Sequence, residues 1–291
     1  MTISNRFTAG DAVLFDWLGQ IDSPPPTRWA IPAPFAAFDL RPGRLILLGG
    51  APGSGKTAAV MQMVVDALIA NESLRVLVAN VEMAPLALIE RVLSRFSGVD
   101  LTAIADRAMT PEQADRVRTC AAPLAPILTR LAFLEGAPAL EAVAAAATAF
   151  SAELIVLDYV QRFSLGGSEP KTQRESIDGM MGVLRKFCIA GAGVLAVASV
   201  GRQRSNTGSN YANLGLASFR GSSELEFGAD SAWLAAPNDA GNVLFSCVKN
   251  RFGQLIDVFT RFDASIQSFS VPPEGFGAFD ESPAATNRKG R

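Results

Sequence analysis

The sequence contains no histidine, and this absence limits the chemistry open to it. Catalytic triads and metal centres that need imidazole are excluded, so a general base must be a carboxylate and a metal ion must be held by oxygen ligands. Cysteine is scarce too: Cys120, Cys188 and Cys247 are scattered and fit neither a disulfide framework nor a zinc spacing. We interpret these three residues as small apolar side chains of the interior.

Long apolar runs and a strong net charge are also missing. No run approaches the ~18 residues that span a bilayer, and no basic segment followed by an apolar one marks a signal peptide. We therefore expect a cytoplasmic protein without a membrane partner. The formal net charge is −2, but basic residues outnumber acidic ones by five between residues 160 and 220. Such a window is typical either of a surface that meets a polyanion or of a solvated face.

Helical stretches alternate with short apolar runs, which predicts an α/β fold with a parallel sheet. Residues 1–34 combine an amphipathic helix with five prolines between residues 23 and 34, so we expect an arm and an extended linker, with the arm packing on a neighbour. The tail 271–291 is rich in Pro, Gly and charge and is predicted to be disordered. The main domain is therefore placed at residues 35–270.

The secondary-structure prediction rests on apolar periodicity and on start and stop signals, such as the helix start at Thr110. A Gly, Ser and Asn-rich stretch at residues 201–218 is predicted to be a loop. The predicted helices cover residues 9–21, 56–70, 84–97, 110–121, 138–151 and 172–190. The predicted strands cover residues 44–48, 74–80, 154–158, 193–199, 231–235, 243–248 and 255–262.

A glycine-rich segment with the pattern G-x-x-x-x-G-K-[ST] lies between a predicted strand and a predicted helix. That context predicts a loop whose backbone N–H groups hold nucleotide phosphates, with the lysine on the β- and γ-phosphates and the threonine hydroxyl on Mg²⁺. The expected ligands are thus ATP and Mg²⁺. The predicted nucleotide-binding residues are Gly50, Ala51, Pro52, Gly53, Ser54, Gly55, Lys56, Thr57 and Ala58.

Two acids follow other predicted strands. Asp158 ends the apolar strand 154–158, and ligands bind at the carboxyl ends of strands in open α/β sheets. We expect Thr57 to bind Mg²⁺ and Asp158 to contact the ion indirectly, from behind its direct ligands. Glu82 comes just after strand 74–80 and is the best candidate to deprotonate the attacking water. The alternative for Glu82 is an ordinary acid near a helix N-terminus.

The motifs together resemble the ATPase domain of DnaB-type replicative helicases, within the RecA-like superfamily. The similarity runs from about residue 35 to residue 270, and five motifs in the same order make it specific. In chain order they are Gly50–Thr57, Val81–Met83, Leu154–Gln161, Phe219–Glu226 with Ala229 and Asp230, and Lys249–Gly253.

The resemblance implies a RecA-like fold, a ring that is commonly hexameric, and ATP-driven movement on single-stranded DNA. By position, Glu82 matches the water-activating glutamate and Asp158 the Walker B acid. Lys249 and Arg251 match the basic residues that reach the ATP site of the neighbouring subunit. The alternative is that they are an ordinary exposed Lys/Arg pair on a turn. The resemblance also places DNA contacts in the loop that contains Arg220, Gly221 and Ser223.

The sequence departs from the family at one catalytic position. Ser199 stands where the family has a glutamine that senses the γ-phosphate, so the coupling between hydrolysis and the grip on DNA is in question. The segment before the core is also shorter than the family's helical N-terminal domain, which we therefore expect to be missing, and a loader or replication partner is left unidentified.

Alternative functions stay open at the level of the sequence. Lys249–Gly253 also resembles a signature of RadA-type recombination ATPases, although the zinc-finger cysteines of that family are absent. A regulatory RecA-like ring that does not translocate is a further alternative. A small-molecule kinase is disfavoured, because no acceptor pocket or lid is recognisable.

Overall fold

The fold is organised around one nine-stranded sheet. The computed structural model describes residues 8–166, 173–200, 203–205, 208–210, 219, 228–238 and 241–273. Helices cover both faces of the sheet, with one buried apolar cluster on each side. The predicted α/β class with a mostly parallel central sheet is confirmed.

Within the described residues, the helices are α1 (Gly10–Gly19), α2 (Lys56–Ala70), α3 (Pro85–Ser97), α4 (Leu101–Ala105), α5 (Pro111–Leu128), α6 (Leu140–Phe150) and α7 (Gln173–Ile189), with a 3-10 turn at Val160–Arg162. The strands are β1 (Leu45–Gly50), β2 (Val76–Asn80), β3 (Leu131–Phe133), β4 (Leu154–Asp158), β5 (Gly193–Ser199), β6 (Gln203–Ser205), β7 (Gly208–Asn210), β8 (Ser231–Pro237), β9 (Asn242–Asn250), β10 (Asp257–Asp263) and β11 (Ser268–Ser270).

The strand order of the large sheet is β11-β10-β9-β8-β1-β5-β4-β2-β3. The six strands from β8 to β3 are parallel to their neighbours, and β9, β10 and β11 extend the sheet with antiparallel pairs. The central strands β1 and β4 are buried along their whole length, as expected when helices cover both faces. The carboxyl ends of the parallel strands therefore share one edge, the carboxyl edge, and their starts share the opposite amino edge.

Several short elements of the fold were not predicted from the sequence. β3, α4 and β11 were not predicted, and β6 and β7 form a small hairpin inside the segment that was predicted to be a loop. Elements this short bury few side chains and leave little periodicity to detect.

Helix α5 extends beyond its predicted end at residue 121. It continues through Pro123 and Pro126 to Leu128. Leu124 is buried, and Ile127 and Leu128 pack against the core, so tertiary packing overcomes the local cost of the two prolines.

The packed body of the domain includes residues that we assigned to the linker. Trp29 and Ile31 are buried in the core together with Phe35, and the Trp29 amide donates to the carbonyl of Leu40. Helix α1, in contrast, contributes no buried residue. Among the described residues, no helix combines the length and the apolar character that crossing a membrane requires.

The predicted start of α5 is a complete capping box. The Thr110 hydroxyl accepts from the Gln113 amide at 3.3 Å, and the Gln113 side chain accepts from the Thr110 amide at 2.8 Å. We expect Thr110→Ala to lower the free energy of unfolding by about 1 kcal/mol, because it leaves the Gln113 amide in the first helical turn without its hydrogen-bond partner. Urea unfolding measures this. Thr119→Ala, on the exposed face of the same helix, is the control and should change the free energy of unfolding by less than about 0.5 kcal/mol. An equal loss of stability in both variants would contradict the prediction.

Candidate functional site

The glycine-rich loop joins the end of β1 to the start of α2, as the motif predicted. Gly53 and Gly55 both have φ of 78°, a left-handed conformation that glycine adopts without strain. A Cβ atom on Gly55 would also lie 2.9 Å from the Phe269 ring. The loop therefore depends on glycine for its curl and for its packing, and α2 begins at Lys56 with its amino end directed to the loop.

Lys56 lies across the loop that precedes it. Its Nζ atom donates to the carbonyls of Gly50 at 2.9 Å and Ala51 at 2.7 Å. Burial lowers the pKa of this ammonium group, and the nearby Asp158 and Glu82 carboxylates act in the opposite direction. A cation is thus held at the centre of the loop, where phosphate oxygens would replace the carbonyls as partners.

Thr57 and Asp158 come from different elements and meet directly. The Thr57 hydroxyl donates to Oδ2 of Asp158 at 2.7 Å, and Asp158 is only 4% exposed. Burial raises the pKa of the Asp158 carboxyl, and the hydrogen bond from Thr57 opposes that shift. A hydroxyl and a carboxylate at this spacing are the hard oxygen ligands that Mg²⁺ takes beside a phosphate, so the donor set fits this ion.

Asn80 is a site residue that the sequence reasoning missed. Its Nδ2 atom donates to Oδ2 of Asp158 at 3.0 Å, and its Oδ1 atom accepts from the amides of Glu82 at 2.9 Å and Met83 at 2.8 Å. One side chain thus ties the turn that carries Glu82 to the buried carboxylate. The sequence did offer one indication, because an asparagine at the end of a strand often accepts hydrogen bonds from the backbone amides that follow it and so forms a turn.

A cavity of about 520 Å³ lies at the carboxyl edge, and Lys56, Thr57 and Asp158 line it. It brings together Glu82, Asp158, Ser199 and most of the predicted loop, whereas Ala51 and Ser54 are buried and do not line it. It also includes residues that were not predicted: Met83, Arg91, Tyr159, Val200, Phe262, Ala264 and Gln267.

Phe262 and Arg91 lie in the wall of this cavity beyond the phosphate loop. The Phe262 ring stacks on Phe269, with centroids 4.4 Å apart and planes inclined by 21°. Arg91 donates to the side chain of Gln267 in the β10–β11 turn. An aromatic ring and a guanidinium group beside a phosphate loop would provide apolar and cationic surface for the rest of a nucleotide.

Ser199 lies at the end of β5 in the cavity wall. Its amide donates to Oε1 of Gln161 at 3.1 Å, and its carbonyl accepts from Nε2 of the same side chain at 3.2 Å. The strand end is therefore fixed through its backbone by a residue that follows Asp158 in the chain.

Arg251 and Lys249 are not brought together with the phosphate loop. Lys249 belongs to β9 and Arg251 follows it, at the amino edge, where Asn250 pairs with Ser231 at the start of β8. Ile46, at the start of β1, is the partner of Ser231 on the other side, whereas the phosphate loop follows the other end of β1. Arg251 lies one residue farther out, where its amide bonds to Asp230, which in turn bonds to Leu45. The five residue steps from Leu45 to Gly50 amount to about 17 Å, which an arginine side chain does not span.

The predicted DNA-contacting residues Arg220, Gly221 and Ser223 lie outside the described residues. Phe219, directly before them, is buried and forms a bridge with Val200 after β5.

Comparisons with known proteins agree with the resemblance inferred from the motifs. The family model for the DnaB-like helicase C terminal domain matches residues 36–271. A solved structure described as an ATPase domain is similar with a TM-score of 0.76 and 16% identity, over 92% of this chain and 100% of that one. A solved structure of a DnaB-like replicative helicase, described with its interactions with primase, is similar with a TM-score of 0.75 and 16% identity. The similarity covers 92% of this chain and 68% of that one. No curated protein matches by sequence.

We expect Lys56→Ala to abolish nucleotide binding. The substitution removes the ammonium group and its bonds to Gly50 and Ala51, so both the phosphate contact and the loop geometry are lost. Titration with a fluorescent ATP analogue should show affinity lower by about a hundredfold or more, consistent with about 3 kcal/mol for charged hydrogen bonds. Lys186→Ala, an exposed lysine on α7, is the matched control. Unchanged affinity in Lys56→Ala would refute the phosphate-loop assignment.

Proposed function

The chain belongs to the DnaB-like helicase C-terminal domain family and is an ATP hydrolase of the helicase class, and we propose that it works as a ring-forming motor on single-stranded DNA. The ring is expected to be a hexamer, and the protein is expected to act in the cytoplasm. The observation that supports assembly best is the separation of Arg251 from the phosphate loop of its own subunit.

Each carboxyl-edge residue has a defined task in hydrolysis. Lys56 and the loop amides bind the phosphates of ATP, and Thr57 with Asp158 would hold Mg²⁺. This ion, when bound, neutralises charge on the transferring phosphoryl group. Glu82 accepts a proton from the attacking water, and Asn80 fixes the turn from which Glu82 acts.

A neighbouring subunit would supply the missing cation. Arg251 lies at the amino edge, about 17 Å along β1 from its own loop. A guanidinium group on the transferring phosphate accelerates hydrolysis by ~10³–10⁵ when it is supplied in trans. Lys249 precedes Arg251 by two residues near the end of β9, at the same edge of the sheet, so we assign it to the same contact.

The surface of the chain offers apolar contacts for such an assembly. Phe15 and Trp17 of α1 are 68% and 61% exposed. Exposed aromatic residues grouped on one helix are typical of an interface. Because a similar structure is described with primase, a replication protein is the class of further partner that we propose.

Two alternatives make different predictions in solution. A regulatory ring would hydrolyse ATP slowly and ignore DNA, whereas a recombination ATPase would bind DNA without unwinding a fork. The proposed motor requires ATPase activity that single-stranded DNA stimulates and that salt weakens. Measuring the mass with ADP, with an ATP analogue and with single-stranded DNA separates ring assembly from DNA binding.

We expect Arg251→Ala to retain ATP binding and lose hydrolysis, and mixing it with Glu82→Gln subunits to restore part of the activity. The Glu82→Gln subunit cannot activate water but keeps its arginine, which would complete the intact site of an Arg251→Ala neighbour. Steady-state ATPase measurements on mixtures of varied ratio check this. Activity no higher than the sum of the separate variants would exclude the trans role.

We expect Arg220→Ala to weaken binding to single-stranded DNA equally for all sequences, because a phosphate contact does not read bases. The slope of log K against log salt should fall by about 0.7 in magnitude, the value for one phosphate contact on a single strand. Fluorescence anisotropy with oligo-dT and a mixed sequence tests this. A loss confined to one sequence would indicate base recognition instead.

A further inference from the structure

The turn that carries Arg251 is held by its own side chains. The Phe252 amide donates to Oδ1 of Asn250 at 3.1 Å, and Nδ2 of Asn250 donates to the carbonyl of Gln254 at 3.1 Å. The guanidinium carbon of Arg44 lies 3.1 Å from the centre of the Phe252 ring. The backbone of the turn therefore has a fixed shape, and it contacts the residue that directly precedes β1.

Asp230 lies beneath this turn and is buried, with 6% of its side chain exposed. Oδ1 is 3.4 Å from Nη1 of Arg251, and the Arg251 amide donates to the Asp230 carbonyl at 2.9 Å. A single residue thus contacts Arg251 through both its backbone and its side chain. The Arg251 side chain keeps 45% of its surface exposed, so it is oriented without being enclosed.

Arg185 of α7 supports Asp230 from the other side. It donates to Oδ2 at 2.8 Å and to Oδ1 at 3.2 Å. Burial alone would raise the pKa of Asp230, but hydrogen bonds from Arg185 and the Leu45 amide keep it below the usual range. The carboxylate is therefore charged, and Arg185 fixes the oxygen that faces Arg251.

Asp230 is also joined to the first residue of β1. Its amide donates to the Leu45 carbonyl at 2.8 Å, and its Oδ2 atom accepts from the Leu45 amide at 2.9 Å. β1 continues from Leu45 to Gly50, where the phosphate loop starts. The support of Arg251 is thus anchored to the strand that carries the subunit's own nucleotide site, but at the opposite edge of the sheet.

We propose that Asp230 is a positioning residue that holds Arg251 in the orientation needed to act on the neighbouring subunit. The inference rests on the proposed trans role of Arg251. It assigns Asp230 to the donor side of the subunit interface and not to the subunit's own ATP site. A residue with a merely structural role would affect both sides alike.

The test uses mixed rings in which donor and acceptor sites are on different subunits. Glu82→Gln subunits donate Arg251 to Arg251→Ala subunits, whose own sites are intact. Adding Asp230→Asn to the Glu82→Gln donor should lower the restored kcat by at least about tenfold, a part of the ~10³–10⁵ attributed to a trans arginine. Adding Asp230→Asn to the Arg251→Ala acceptor should leave both the restored kcat and KM for ATP unchanged.

Asp66 provides a matched control, since its buried carboxylate also pairs with an arginine, Arg95, through bonds of 2.7 and 2.9 Å. Asp66→Asn in the Glu82→Gln donor should leave the restored kcat unchanged. Equal rescue by donors with and without Asp230→Asn would overturn the positioning role. No rescue by the Glu82→Gln donor itself would overturn the trans role, and the inference with it.

A second variant covers a failure of Asp230→Asn to fold or to enter rings, which thermal unfolding and native mass spectrometry would detect. Asp230→Glu keeps a charge for Arg185 but displaces the carboxylate by one methylene. We expect this donor to restore less activity than Glu82→Gln alone, with unchanged nucleotide affinity. Full restoration by Asp230→Glu, with Arg251 still required, would count against the need for a fixed carboxylate.

Discussion

The nucleotide site depends on one buried carboxylate, that of Asp158. A charge in this position is costly unless hydrogen bonds and a cation balance it. Thr57 at the start of α2 and Asn80 at the end of β2 supply the two hydrogen bonds, and Lys56 lies near enough to act electrostatically. The need to compensate Asp158 thus draws three elements together. The same oxygens that satisfy one another in the protein alone are suited to share a magnesium ion with a phosphate.

The direction of the strands divides the chemistry between two edges of the sheet. Parallel strands place Asp158, Asn80 and the phosphate loop at the carboxyl edge, while the antiparallel pair of β8 and β9 returns the chain to the amino edge at Arg251. No local rearrangement of a side chain bridges the length of β1. If Arg251 takes part in hydrolysis, the reaction therefore requires a second subunit, and activity becomes a property of the assembly.

The carboxyl ends of apolar strands made Asp158 and Glu82 predictable, because strand direction alone places them near the phosphate loop. Asn80 was not predicted, since its role depends on where a single amide side chain points. Arg91 and Phe262 were beyond sequence reasoning for a different reason. Phe262 reaches the cavity because the β10–β11 hairpin packs over Gly55, a contact between segments about two hundred residues apart. Arg91 comes from α3 and contacts the same hairpin through Gln267. The path of α5 through two prolines was likewise decided by packing of its last turn.

The serine at position 199 alters the site less than the change of side chain suggests. Ser199 makes both of its hydrogen bonds to Gln161 through its backbone and pairs with Gly50 of β1, so none of these contacts depends on the side chain at this position. Gln161 follows Asp158 by three residues, so its side chain connects the end of β4 to the end of β5. A serine hydroxyl is shorter than a glutamine amide, so if this position senses the γ-phosphate, as the resemblance implies, what changes is its reach. The connection between β4 and β5 through Gln161 does not depend on that side chain.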